Sequence, residues 1–443
     1  MSLKASASLE SISSTQSKDE PLTKDIARQL VIGDLDILKL LGTGRTGKVF
    51  LARHRTTEQL LALKIIPKAS LLPKELSSAL REQRILRNLA TATNDRLLFV
   101  RLLASWHDTE NFYLAMEYLA GGDLAIELGR CKVFDEERVK TCAAEIITAL
   151  EALHARSIVH RDIKPANLLF RPDGHIVLAD FGHSLAFSAH PDLAQPSDTQ
   201  PRSSRNSTYK PCTTTEVCGT PFYMSPEMHA GRSYSYDVDL WALGVMMYRM
   251  LTRRMPLGGD ATRSQIADHV QYDPVLFKPE DAASPQVREL LQTMLSRDSR
   301  SRPDLLSLKQ DAFFDSIDWD EIKTRRNVPA WTPYIPPIPK TTKTTLEFLR
   351  GQPYDACDDP YPDFAYMAPC FATADKVARA DVLPPSPPSS PTSSLYRLRK
   401  AVRRIFHCSR MARPAVTPLV VQLPLKEYDK FSFEESMEVL VAL

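Results

Sequence analysis

The sequence predicts an α+β fold in two lobes: a small β-rich lobe with one main helix, a larger helical lobe, and an extended C-terminal tail. Three observations carry that expectation. Short apolar runs of strand character crowd between residues 35 and 118, helical apolar spacing dominates beyond Gly121, and proline becomes frequent after Phe314.

In chain order, residues 1–33 are rich in Ser, Thr and charge and poor in aromatics. Such a segment buries too little surface to offset the entropy of ordering, so a disordered lead-in is expected. Within 34–118, DILKLLGTG, KVFLARH, QLLALKII and FYLAMEYL read as strands and ELSSALREQRILRNL as a helix. Within 121–314, ERVKTCAAEIITALEALHAR and DVDLWALGVMMYRMLTRR carry helical spacing, with brief strand-like pieces at NLLF and HIVLAD. Residues 315–443 lose regular periodicity and contain VPAWTPYIPPIP and LPPSPPSSPTSS, which read as an extended tail with a Pro/Ser-rich linker. In that tail, residues 395–410 hold Arg397, Arg399, Lys400, Arg403, Arg404 and Arg410 without an acid. This stretch is a candidate contact for anionic membrane or an import receptor, or else a solvated basic face.

Composition narrows the partners. Of 443 residues, 56 are basic and 54 acidic, a formal net charge of +2, so no global field points to nucleic acid. Seven cysteines without CxxC spacing suit free thiols in the cytoplasm or nucleus better than a disulfide framework or a zinc site. The N-terminus has no apolar run of signal-peptide type and no window approaches the length of a membrane span, so no transmembrane segment is expected.

The chemistry lies in ordered motifs. LGTGRTGKVF places Gly42, Gly44 and Gly47 before Val49, and glycines let backbone N–H groups approach phosphate oxygens without a Cβ in the way. A dinucleotide fold would follow such glycines with a helix, whereas KVFLARH reads as a strand. Lys64 lies within an apolar strand and Glu82 follows eighteen residues later on the helix; a buried ammonium needs an anion, and Glu82 can supply it. HRDIKPAN, residues 160–167, offers Asp162 to accept a hydroxyl proton, Lys164 as a cation for a transferring phosphoryl group, and Asn167 as an oxygen ligand for Mg²⁺. DFG follows at 180–182, and Asp180 adds a second metal-binding oxygen donor.

Together these motifs resemble the eukaryotic protein kinase domain over residues 35–314. The 311–337 segment, DAFFDSIDWDEIKTRRNVPAWTPYIPP, resembles the post-domain region of the AGC serine/threonine group. The resemblance implies a bilobal protein kinase fold that uses ATP and Mg²⁺ and phosphorylates Ser and Thr of protein substrates, with Lys164 marking the Ser/Thr preference. It assigns Glu117, Tyr118 and Leu119 to the hinge with Met116 as gatekeeper, and Asp123 to the ribose. Asp239 should anchor the catalytic loop, Glu227 should pair with Arg302, and His160, Phe181, Leu86 and Leu102 should stack between the lobes. A pseudokinase acting as an ATP-binding scaffold is the alternative, disfavoured because Lys64, Asp162, Asn167 and Asp180 are all present.

Several positions depart from the group's pattern. Glu216 in TTTEVCGTPFYMSPE stands where a phosphorylatable Thr is usual, and Ser78 and Leu185 stand where cations for that phosphate are expected. Arg161 is then left to pair with Glu216 as a fixed substitute, with Thr215 pointing away. Ala166 and Arg249 occupy positions where the group carries arginine-selecting acids. Residues 190–211 read as a disordered insert with regulatory phosphosites. EYDKFSF, residues 427–433, resembles the tail motif that docks beside the Glu82 helix, and Ser390 or Thr417 is a candidate site for an upstream kinase.

Overall fold

The computed structural model describes residues 30–91, 97–130, 133–187, 212–259, 261–281, 283–329, 332–337, 348–355 and 357–374. Five strands build the small lobe: β1 (Leu35–Thr43), β2 (Lys48–His54), β3 (Leu60–Pro67), β4 (Leu102–His107) and β5 (Asn111–Glu117). Neighbours pair antiparallel in the order β1-β2-β3-β5-β4. β1 to β2 is a hairpin over the glycine motif, as the strand character of KVFLARH predicts. β4 is an addition to the predicted set. Every one of its residues is buried, so it lacks the alternation that marks a half-exposed strand.

The predicted helix is α1 (Pro73–Thr91). Its proline occupies the first turn, where a missing N–H costs little, and the Glu75 carboxylate accepts from Leu72 N at 3.0 Å. Ala79, Glu82, Gln83, Leu86 and Leu89 are buried along it, the spacing of one helical face. That face puts Glu82 against the sheet and leaves Arg87 exposed.

The large lobe begins with α2 (Leu124–Arg130) and α3 (Glu136–His154), the latter capped by Asp135 accepting from Arg138 N. Short strands β6 (Ile158–Val159), β7 (Leu168–Phe170), β8 (Ile176–Leu178) and β9 (Leu185–Ala186) follow as two antiparallel pairs. Then come α4 (Pro226–His229), α5 (Asp237–Thr252), α6 (Ile266–Tyr272), α7 (Pro285–Met294), α8 (Leu305–Lys309) and α9 (Trp319–Thr324). α5 is buried on nearly all sides, as a helix apolar all round must be. One apolar cluster joins the lobes, with Leu86 and Leu102 of the small lobe and Phe181 and Leu153 of the large one.

Two boundaries differ from expectation. Leu30 is only 2% exposed and packs with Leu35 and Phe50, so ordered chain begins before residue 33; a single leucine after a polar run gave no pattern to read. In the tail, β10 (Tyr366–Met367) pairs antiparallel with β4 and becomes the sixth strand of the small-lobe sheet. Among the described residues no helix is long and apolar enough to cross a membrane.

Candidate active site

The glycine hairpin lies directly over β3. Gly42 pairs with Val49, Gly44 N donates to Gly47 O at 2.7 Å, and a Cβ on Gly47 would sit 2.2 Å from the Ile65 carbonyl oxygen. Only glycine permits that approach. Val49 in turn faces Lys64 in the β2–β3 register.

Lys64 Nζ meets both Glu82 oxygens at 2.8 and 2.9 Å and Asp180 Oδ1 at 3.5 Å. Burial opposes the ammonium charge, but Glu82 and then Asp180 outweigh it and hold the Lys64 pKa above its ordinary value. Burial, joined by the neighbouring Asp180 charge, pushes the Glu82 carboxyl upward; with a cation within hydrogen-bond distance of both oxygens, the charged pair is the state this geometry supports. Asp180 is likewise held well below the usual carboxylate range, its burial overcome by Lys64 and Lys164. Its φ of +58° is a left-handed conformation unfavourable for a residue with a side chain, tolerated here inside this charge network.

Opposite stands the catalytic-loop cluster. Asp239 on α5 accepts from His160 N at 2.9 Å and Arg161 N at 2.8 Å, fixing a loop in which Arg161 has φ +69°. The His160 ring contacts Phe181 at 5.3 Å between centroids and reaches Ala179 O at 3.1 Å. Asp162 receives Lys164 Nζ at 3.0 Å and Asn167 Nδ2 at 3.2 Å, while Asn167 Nδ2 also donates to the Asp162 carbonyl at 2.8 Å. Thr220 completes the cluster. Its N–H and hydroxyl both donate to Asp162 Oδ1, at 2.8 and 2.7 Å, and its oxygen accepts from Lys164 at 3.0 Å.

The donor set suits a hard divalent cation. Asn167 Oδ1 is buried without a hydrogen-bond partner, and the charged Asp180 carboxylate offers the oxygen ligands that Mg²⁺ prefers. The hinge residues behave differently. The Glu117 carboxylate is taken up by Arg101 N at 3.0 Å and Arg171 Nη2 at 3.2 Å, outside the Lys64 cluster; Leu119 is buried. Asp123 Oδ1 accepts from Ile126 N at 2.9 Å at the start of α2, and burial pushes its carboxyl upward.

The activation segment is tied to this loop. Arg161 Nη1 contacts Glu216 Oε2 at 2.9 Å and Tyr234 Oη at 3.2 Å, and Tyr234 Oη donates to Glu216 O at 2.5 Å. The Arg161 side chain is fully buried and that of Glu216 46% exposed. Burial works against the Glu216 charge, but Arg161 and, next among the cations, Arg81 hold its carboxyl below the usual range. The cation on α1 is thus Arg81, one residue before Glu82, whereas Ser78 donates its hydroxyl to Gly182 O. Thr215 is exposed. Glu227 and Arg302 form the expected fork at 2.6 and 2.8 Å, and Cys218 is a partly buried thiol whose pKa that burial raises.

The groove beside α1 is filled by residues 359–371, YPDFAYMAP within them; residues 427–433 lie outside the described residues. Phe364 is 3% exposed and packs on Phe112 at 4.7 Å, while its carbonyl accepts from Gln83 Nε2 at 3.0 Å and Ser105 Oγ at 2.7 Å. Gln83 follows Glu82, so the tail segment and the Lys64–Glu82 pair engage adjacent residues of one helix. The insert 190–211, the basic stretch 395–410, Ser390 and Thr417 also lie outside the described residues.

A family model for the protein kinase domain matches residues 35–314. The chain belongs to the protein kinase family. It is similar to the serine/threonine-protein kinase Sgk1 of Danio rerio, 33% identical over 340 residues covering 76% of this chain and 71% of that protein. The RAC-beta serine/threonine-protein kinase of Homo sapiens is 32% identical over 339 residues, 73% of this chain and 63% of that one. The serine/threonine protein kinase ypkA of Aspergillus fumigatus is 32% identical over 336 residues. That match covers 75% of this chain and about half, 49%, of ypkA. These relatives are AGC kinases, and the domain described here is that of a serine/threonine protein kinase with the bilobal α+β fold of its family.

Proposed function

We propose that this kinase transfers the γ-phosphoryl group of MgATP to serine and threonine hydroxyls of proteins, through a domain spanning 34–314 with 315–443 as its tail. The observation that supports it best is the Asp162–Lys164–Asn167–Thr220 cluster, set against the Lys64–Glu82–Asp180 network. Protein kinases as a family use ATP and Mg²⁺, and bound MgATP supplies the phosphoryl group. Within the chain, Asp162 accepts the proton of the incoming hydroxyl and orients its lone pair. Lys164, hydrogen-bonded to Thr220, sits where a cation can stabilise negative charge that develops on transfer. Asn167 and Asp180 would hold the metal, and Gly42, Gly44, Gly47 and Val49 would cover the nucleotide. Lys64, fixed by Glu82, would take its phosphates, and Glu117, Leu119 and Asp123 its base and ribose.

The test is transfer from MgATP to a serine-containing protein by the purified full chain. Asp180→Ala is expected to lower turnover by about a hundredfold or more, as loss of charge stabilisation at a reacting group does. Wild-type turnover in Asp180→Ala would overturn the proposal.

A further inference from the structure

The turn that carries Thr220 is bonded directly to Asp162, through the Thr220 N–H and hydroxyl. Its polar contacts are one-sided. Lys164 bonds Thr220 Oγ1 at 3.0 Å, His229 Nε2 meets Pro221 O at 2.9 Å, and Arg249 Nη1 donates to Tyr223 Oη at 2.7 Å. Apart from Asp162 itself, the charged or ionisable side chains bonded to residues 220–223 among the described residues are all basic. Tyr223 is 6% exposed, and through it Arg249 is bonded to the same turn whose Thr220 hydroxyl holds Asp162. Arg249 is partly exposed at the end of α5, and the neighbouring catalytic-loop position is the neutral, buried Ala166. The nearest acid on α2 is already engaged: Glu127 pairs with Arg130 at 2.7 Å.

Resting on the kinase reading above, we infer that Arg249 makes this site select protein segments carrying a carboxylate or phosphate within a few residues of the acceptor hydroxyl. An anionic side chain there gains a charge-assisted contact with a planar guanidinium, whereas an arginine meets a like charge.

The experiment uses the full chain and a peptide series with one serine acceptor, each flanking position carrying Asp, phosphoserine, Ala or Arg in turn. At the position facing Arg249, Asp or phosphoserine is expected to exceed Arg in kcat/KM by about tenfold, mostly through KM and shrinking at high salt. Arg249→Gln should erase that ratio, Arg249→Glu should invert it, and Arg249→Lys should retain part of it, with thermal unfolding reporting that each variant is folded. If neutral peptides are phosphorylated but acids give no advantage at any position, or if the preference survives Arg249→Gln, the inference fails while the kinase reading stands. If no peptide accepts phosphate, both fail.

Discussion

Glu216 meets the buried Arg161 guanidinium at 2.9 Å, and we propose that this contact stands as a fixed charge where the kinase resemblance expects a phosphorylatable threonine. A phosphate carries about two negative charges and a carboxylate one. The single charge suits a site where Arg161 is the direct partner and Arg81 acts at longer range. Because Glu216 is half-exposed, the pair is worth about 1 kcal/mol or less, enough to bias the segment toward order. Enzyme from a bacterial host, free of phosphate, is expected to be active. Glu216→Ala should lose tenfold or less in kcat/KM, and Thr215→Ala should change little, because that side chain is exposed. The pH sign follows from the lowered Glu216 pKa. The pair's contribution is complete above the ordinary carboxylate range and is lost as pH falls through the lowered value. The wild-type to Glu216→Ala activity ratio should therefore be flat from about pH 6 to 8 and approach unity only in acid. Inert unphosphorylated enzyme, restored by phosphate on Thr215, would contradict this. The Glu216–Arg161 pair was legible in sequence because HRD and the GTP segment are fixed landmarks. Arg81 was not, since any residue of an amphipathic helix can turn toward a loop that sequence leaves unplaced. Thr220 was visible only as part of a motif, its bond to Asp162 depending on a fold-back of 58 residues.

At the scale of elements, the tail completes the small lobe. β10 covers the β4 edge, and Phe364 anchors the segment to the helix that carries Glu82 through Gln83. Phe364→Ala should cost about 3 kcal/mol or more of local stability and lower kcat by releasing α1. Removal of 375–443 should leave kcat unchanged, and removal of 357–443 should reproduce the Phe364→Ala loss; equal activity in both truncations would contradict the anchoring role. Ala365 lies between Phe364 and Tyr366, so this segment has no hydroxyl to modify at that position. A second tie is pH-dependent. His107 Nε2 faces Asp359 Oδ1 at 2.9 Å, and Lys68 Nζ lies 3.0 Å from Nδ1 while also donating to Asp108 O. With Lys68 donating, Nδ1 must accept, so the ring is neutral with its proton on Nε2. Burial and then Lys68 lower the His107 pKa from 6.5. The unfolded state therefore binds the proton more readily, and the tie's stability, full above about pH 6.5, is lost as pH falls below it. Amide exchange over residues 357–374 should accelerate between pH 7 and 5.5 after correction for intrinsic rates, and His107→Phe should flatten that change. The 361–366 contact escaped the sequence because aromatics at short spacing occur twice in the tail, at 361–366 and at 428–433, the latter outside the described residues. Only three-dimensional pairing with β4 distinguishes them.

For the whole molecule, the two-lobed arrangement was legible because its determinants are local and strong: a glycine hairpin, one amphipathic helix, and a helix apolar on every side. What escaped were features set by distant parts of the chain, such as fully buried β4, Leu30 under the sheet, and the sixth strand supplied from the tail. The lobes share one apolar core, and the candidate site lies where Lys64 of one lobe meets Asp180 of the other at 3.5 Å. Function is thus a property of the assembled pair, and removing one partner of the buried Lys64–Glu82 bridge should cost about 3–5 kcal/mol. We propose that this assembled site transfers phosphate to Ser and Thr with Asp162 as the proton acceptor. The most direct test is phosphoamino-acid analysis of a protein substrate after incubation with labelled MgATP and either wild-type chain or Asp162→Asn. The predicted result is label on serine and threonine, falling by about a hundredfold or more in the variant while nucleotide binding persists. Label on tyrosine alone, no label with wild type, or undiminished transfer by Asp162→Asn would contradict it.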